Sequence, residues 1–141
     1  AVAALADELP EPGADATFAA CVLDWESVAA PPHADWMAFV RALLALRRRQ
    51  IAPRLHGMQS AQADCRLPGG RVLRVAWRLG DGSRLALLAN LGAQPAAGLA
   101  VPPGAVLYAS ANLPSDDLEA GHLPPWSVAW LLDPVPVGDS P

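Results

Sequence analysis

VLRVAWRLGDGSRLALLAN, residues Val72 to Asn90, reads as a β-hairpin. Over Val72 to Leu79 the residues alternate: Leu73, Val75, Trp77 and Leu79 point one way, Arg74 and Arg78 the other. A period of two marks a half-buried strand with one solvated face. Gly80-Asp81-Gly82-Ser83 comes next, and Asp-Gly tolerates the positive φ that a tight hairpin turn needs. Arg84 to Leu91 then reads as the return strand, with Leu85, Leu87 and Leu91 on one face.

Further out, Pro68-Gly69-Gly70 is a second turn, joining a strand at Ala63–Leu67 to the one that starts at Val72. Ala105–Ala109 and Trp126–Leu132 read as further short strands. Short strands separated by turn signals predict an antiparallel β-sheet or β-sandwich from about Ser60 to Pro136. Before it lies one long amphipathic helix, Ala34 to Gln50, in which Trp36, Phe39, Val40, Leu43 and Leu44 recur at helical spacing. Arg47, Arg48 and Arg49 suit its C-terminal end, and Pro53 stops it. Its apolar face is predicted to cover the sheet face that holds Trp77 or Trp130. Short helical turns are predicted at Val2–Leu9 and Asp15–Ala20, broken by Pro10 and Pro12. The chain thus divides into an irregular segment (1–33), a helix (34–53) and a mainly β domain (54–141).

With 141 residues the chain suits one domain and is too short for a complete catalytic (β/α)₈ barrel of about 250 residues. Apolar residues make up 52%, enough for a core and too many for a disordered tail. Ten arginines, with no lysine, face 14 acids, and a net charge of -4 argues against nucleic acid as a partner. The two cysteines, Cys21 and Cys65, form no CxxC and have no metal-ligand spacing. They are expected unpaired in a reducing, cytoplasmic compartment. No apolar run reaches the length of a membrane span. The N-terminus has neither a basic region ahead of an apolar stretch nor an initiator Met, so a processed protein or a piece of a longer one is expected.

Motifs for chemistry are scarce. There is no GxSxG, no HExxH, no phosphate loop and no dinucleotide fingerprint. Asp116, Asp117, Glu119 and His122 invite a metal reading, but their spacing is irregular, and a capped turn with Ser115 or Asp116 as N-cap explains them better. No metal and no cofactor are expected. Asp15, Asp24 and Glu26 fall in a loop-like segment, where nothing sets two carboxylates across a cleft. Of the five tryptophans, Trp126 and Trp130 share a strand face with Val128 and Leu132, and the reading favours core for both. Trp36 and Trp77 are read likewise. Trp25 stands outside any periodic pattern, and packing under the loop or lining a surface are equally open to it.

The order DATFAACVLDW (15–25), HADWMAFVRALLALRR (33–48), IAPRL (51–55), VAWRLGDGSRLALLANLG (75–92) and LPPWSVAWLL (123–132) resembles the C-terminal end of malto-oligosyltrehalose trehalohydrolases, glycoside hydrolases of the α-amylase superfamily. LPPWSVAWLL and the LDW loop are its most specific pieces. The chain departs at Cys21-Val22, where the family carries a Ser-Lys or Ser-Arg pair. The resemblance implies that the helix closes the (β/α)₈ barrel of the same parent chain. The β-rich remainder would be a small C-terminal sandwich packed on that barrel, and the catalytic carboxylates would lie upstream. It leaves no catalytic residue here and makes Asp24 and Trp25 the candidates for substrate contact. The parent would cut an α-1,4 link to release trehalose. Two alternatives stay open: a carbohydrate-binding β-sandwich module with its own α-glucan site, and the C-terminal domain of a branching or debranching relative. An exposed pair of Trp rings on one sheet face would favour the module.

Overall fold

The computed structural model describes residues 10–59 and 63–134. The helical turn predicted at Val2–Leu9 lies outside them. The chain divides into two compact units, Ala1–Leu43 and Leu44–Pro141.

The first unit is helical. Helix α1 spans Asp15–Ala20, as predicted, with Asp15 in the first turn, where a negative charge complements the helix dipole. A 3-10 turn, Glu26–Ala29, precedes Pro31 and Pro32. Helix α2 then runs His33–Leu46 and crosses the boundary between the units. The α-helical pattern stops there, before Pro53 is reached: a π-helical turn, Arg47–Ile51, and a 3-10 turn, Ala52–Arg54, follow. None of these helical segments holds a buried residue. Trp36 stacks on Phe39, with ring centroids 5.2 Å apart, yet is 67% exposed.

The second unit is one antiparallel sheet. Its strands are β1 (Ala63–Arg66), β2 (Val72–Arg78), β3 (Arg84–Asn90), β4 (Ala105–Ala109) and β5 (Ser127–Asp133), in the order β1-β2-β3-β5-β4. The mainly β antiparallel architecture read from the sequence is therefore the observed one. The β2–β3 hairpin pairs Val72 with Asn90 and Arg78 with Arg84. Its turn closes where Gly80-Asp81-Gly82-Ser83 predicts. Leu79 N–H donates to Ser83 O at 2.8 Å, and Gly82 adopts φ 86°. The Asp81 carboxylate accepts from the Ser83 hydroxyl and backbone N–H, which lowers its pKa, and Arg54 nearby adds to that shift. Gly80 N–H donates to Arg54 O at 2.8 Å, and a Cβ at Gly80 would collide with the His56 carbonyl.

The burial pattern corrects the reading of β2 and β3. The β2 face that carries Arg74 also carries Val72 and Ala76, and it is not solvated along its length. Val72 is buried there in the larger core cluster, with Ala86, Leu88, Ala129 and Leu131. On β3 both faces are buried, Leu85 and Ala89 on one side, Ala86 and Leu88 on the other, while Leu91 is exposed. Strand β3 lies between β2 and β5, so each face needs an apolar cover.

The two covers differ. Over the Leu88 face lie Leu99 and Val101, the short helix α3 (Ser115–Glu119) with Leu118 buried, and Leu113 and Leu123. The segment 96–99 is tied to 121–123 by Ala96–Leu123 and Leu99–Gly121 backbone hydrogen bonds, and Gly121 admits no Cβ because it would meet the Leu99 carbonyl. These connecting segments supply the second layer. On the Leu85 face, Trp77 stacks on Trp130 with centroids 5.6 Å apart and planes 9° from parallel. Ile51, Leu55 and Met58 pack there. The chain just after α2 thus covers this face; within the helix itself, Trp36 and Val40 are exposed.

Candidate functional site

Asp24 and Trp25 sit in the turn between α1 and the 3-10 turn at Glu26–Ala29. Asp24 Oδ1 accepts the Glu26 N–H at 3.0 Å, and Asp24 O accepts the Ser27 hydroxyl at 2.7 Å. The His33 ring Nδ1 lies 3.1 Å from both Ser27 O and Ser27 Oγ. The carboxylate is thus engaged in holding its own turn, and Trp25 stands 72% exposed. The turn presents an indole to the surroundings.

Asp116, Asp117 and Glu119 lie on α3, and His122 N–H donates to Asp117 O at 2.7 Å. The N-cap differs from the expectation. Pro114 occupies it, so neither Ser115 nor Asp116 caps the helix. Among the described residues no group of three His, Cys, Asp or Glu side chains is placed to hold a metal ion. Among them, too, the buried polar side chains are Ser83, Asn90 and Ser127. No carboxylate is among the buried described residues. Both cysteines are free and exposed.

Around the start of β5 the structure brings together what the sequence did not. Buried Asn90 shares its Nδ2 protons among Gln94 O (2.8 Å), Pro124 O (3.0 Å) and Leu123 O (3.1 Å), while its Oδ1 accepts Gly92 N–H. Ser127 Oγ donates to Pro124 O at 2.7 Å, and Asn112 Nδ2 donates to Pro125 O at 2.9 Å. The segment Leu123–Ser127 is therefore pinned by three side chains. Within it Trp126 takes φ 55° and remains 67% exposed. A non-glycine residue in that region costs about 1–2 kcal/mol, and an exposed ring returns little packing for it. The expected core role of Trp126 is corrected here. The pinned turn takes this residue out of the strand's alternation, while Trp130 remains half-buried against Trp77. A cleft of about 330 Å³ is lined by Pro95, Ala96, Pro124 and Pro125, with Asp117 and His122 at its wall.

Residues 60–130 match a domain of unknown function, DUF3459. The chain belongs to the DUF3459 family. No curated protein matches the chain. Among solved structures, a protein from Salmonella typhimurium described as a "Putative alpha Amylase" is similar over 94% of this chain, with 28% identity and a TM-score of 0.77. This DUF3459 chain spans 22% of the length of that protein. No helix among the described residues is long and apolar enough to cross a membrane.

Proposed function

We propose that this DUF3459 chain is the non-catalytic C-terminal domain of an α-amylase-superfamily glycoside hydrolase. Its closest activity type is that of a malto-oligosyltrehalose trehalohydrolase working in the cytoplasm. The parent enzyme would cleave the α-1,4 link that joins a malto-oligosaccharide to a terminal trehalose. The domain's partner is the (β/α)₈ catalytic barrel of the same parent chain. One observation carries this reading. The helical segments of residues 15–46 bury nothing, while Phe18, Leu23, Trp25 and Trp36 stand exposed. So much exposed apolar surface marks an interaction face. The likeness to about a fifth of a longer amylase-like protein supports a same-chain partner of that kind. The LPPWSVAWLL and LDW stretches favour the trehalohydrolase over a branching or debranching enzyme. Asp24 and Trp25 then become rim residues that reach substrate only when the barrel is present.

The test is trehalose release from malto-oligosyltrehalose by the isolated chain and by the parent enzyme. Retaining glycosidic cleavage needs two carboxylates about 5 Å apart across the scissile bond. The account expects an inert chain and an active parent. Turnover that follows the purified chain and vanishes on Asp24→Asn would contradict it.

A further inference from the structure

We propose that the sheet face carrying Leu88 is a two-fold interface with a second copy of this chain, in which helix α3 of each copy lies on the arginines of the other. Four of the ten arginines stand at one corner of this face. Arg66 is opposite Arg74 across β1–β2, and Arg78 is opposite Arg84 across β2–β3. Like charges in direct cross-strand register repel. The row between the two pairs holds Asp64, Ala76 and Ala86, so the side chains there are short. Asp64 is already bonded to Arg66, at 3.0 Å. Among the described residues the ion pairs are that one and Arg54–Asp81, so Arg74, Arg78 and Arg84 have no carboxylate partner. A guanidinium can hold a carboxylate through two parallel hydrogen bonds and is a cation suited to interfaces.

The other half of the same face is raised and acidic. Leu99, Val101 and Leu118 form a second layer over Leu88, Ala129 and Leu131. Helix α3 lies towards β4 in that layer: Ser115, Leu118 and Glu119 line a cavity of about 320 Å³ together with Val106 of β4 and Leu131 of β5. Asp116 and Glu119 are exposed and Asp117 is half-buried; the last turn of α3 has no basic residue, and none of the three acids is in an ion pair. No residue of β1 belongs to the cluster beneath the layer, and Arg66, Arg78 and Arg84 are exposed. The face is thus a step, low and positive at the β1 edge, high and negative towards β4. Rotation by half a turn about an axis parallel to the strands sets the high half of each copy over the low half of the other. The level along the strands agrees as well. Leu131 and Val106, beside α3, continue the cross-strand row of Asp64, Ala76 and Ala86, which runs between the two arginine pairs. The acids of α3 therefore meet arginines on both sides of that row. Such a match of one patch to itself is what a closed two-fold dimer requires.

The experiment is sedimentation equilibrium of the 141-residue chain, from about 10 to about 500 µM at low salt. Reductant is present throughout, because Cys21 and Cys65 are exposed. A monomer–dimer equilibrium is expected, with a Kd of about 100 µM. Raising NaCl to about 0.5 M should weaken it roughly ten-fold, since the contacts join charges at the surface. Arg78→Glu with Arg84→Glu should give a monomer, and so should Asp116→Arg with Glu119→Arg. All four positions are exposed, so both double variants should keep the melting temperature of the unchanged chain. An equimolar mixture of the two should restore the dimer, because one contact is then the original one and the other has both signs exchanged. A chain that is monomeric at about 500 µM, a dimer indifferent to salt or to both reversals, or a mixture that stays monomeric would overturn the proposal. Association through the exposed Phe18, Trp25 and Trp36 would give the second of these results. None of the outcomes bears on trehalose release by the parent enzyme.

Discussion

Leu88 in the sheet is 2% exposed; Trp36 in helix α2 is 67% exposed. Both are large apolar residues on regular elements, and the contrast holds for the units around them. Residues 63–134 bury Val72, Leu88, Leu118, Leu123, Ala129 and Leu131 in one cluster and Leu79, Leu85 and Leu132 in another. The helical segments of residues 15–46 bury nothing. Isolated helices of this length are marginal in water, and packing supplies most of their stability. The sheet is thus equipped to fold on its own interactions, and the helical unit leaves Phe18, Leu23, Trp25 and Trp36 exposed.

This comparison can be broken at several points. The largest effect is expected in the sheet. Leu88→Ala should lower the unfolding free energy by about 2–5 kcal/mol in a denaturant titration, since it empties the centre of a two-sided strand. A cost below about 1 kcal/mol would mean that the core is not where burial puts it. Asn90→Ala should come next, at about 1–3 kcal/mol by the same measurement, because it strips the carbonyls of Leu123 and Pro124 of a buried donor.

Trp36→Ala sharpens the other side. In the isolated chain it should change stability by less than about 0.5 kcal/mol, as exposed positions do. In the parent enzyme, if the domain reading holds, the same change should lower the melting temperature measurably. The smallest effect concerns pH. The folded pKa of Asp81 is depressed, chiefly by the Ser83 hydroxyl. Its contribution is therefore full above the ordinary carboxylate pKa of about 4 and fades as pH falls through the lowered value. Asp81→Asn should flatten that part of the acid limb of a thermal-stability profile and leave the neutral region nearly level.

The sequence made the strands and turns legible because their signals are local. Asp81-Gly82 and Gly69-Gly70 announce turns, and alternation announces β2. Two features stayed hidden. Strand β3 reads LALLA, where both faces are apolar, so period alone could not show that each was covered. The second layer, residues 96–101 with Leu113, Leu118 and Leu123, has no period to detect; its placement depends on Gly121 and on hydrogen bonds between distant segments. Trp126 was misread for a related reason. In a regular strand it would share the face of Val128 and Trp130, but a backbone set by Asn90, thirty-six positions earlier, removes it from the pleat. Trp25 lacked a pattern in the sequence and proved exposed. The Asp24 side-chain hydrogen bond that shapes its turn joins residues two apart.

The most direct test is amide hydrogen exchange on the intact 141-residue chain under native conditions. The account predicts slow exchange in β3 and β5, with amides such as Leu88 and Ala129 opening only on global unfolding. Amides of Asp15–Ala20 and of His33–Leu43 should exchange orders of magnitude sooner. If the helical amides are instead protected as strongly as those of the sheet, the helical unit is stable by itself and the contrast between the two regions falls.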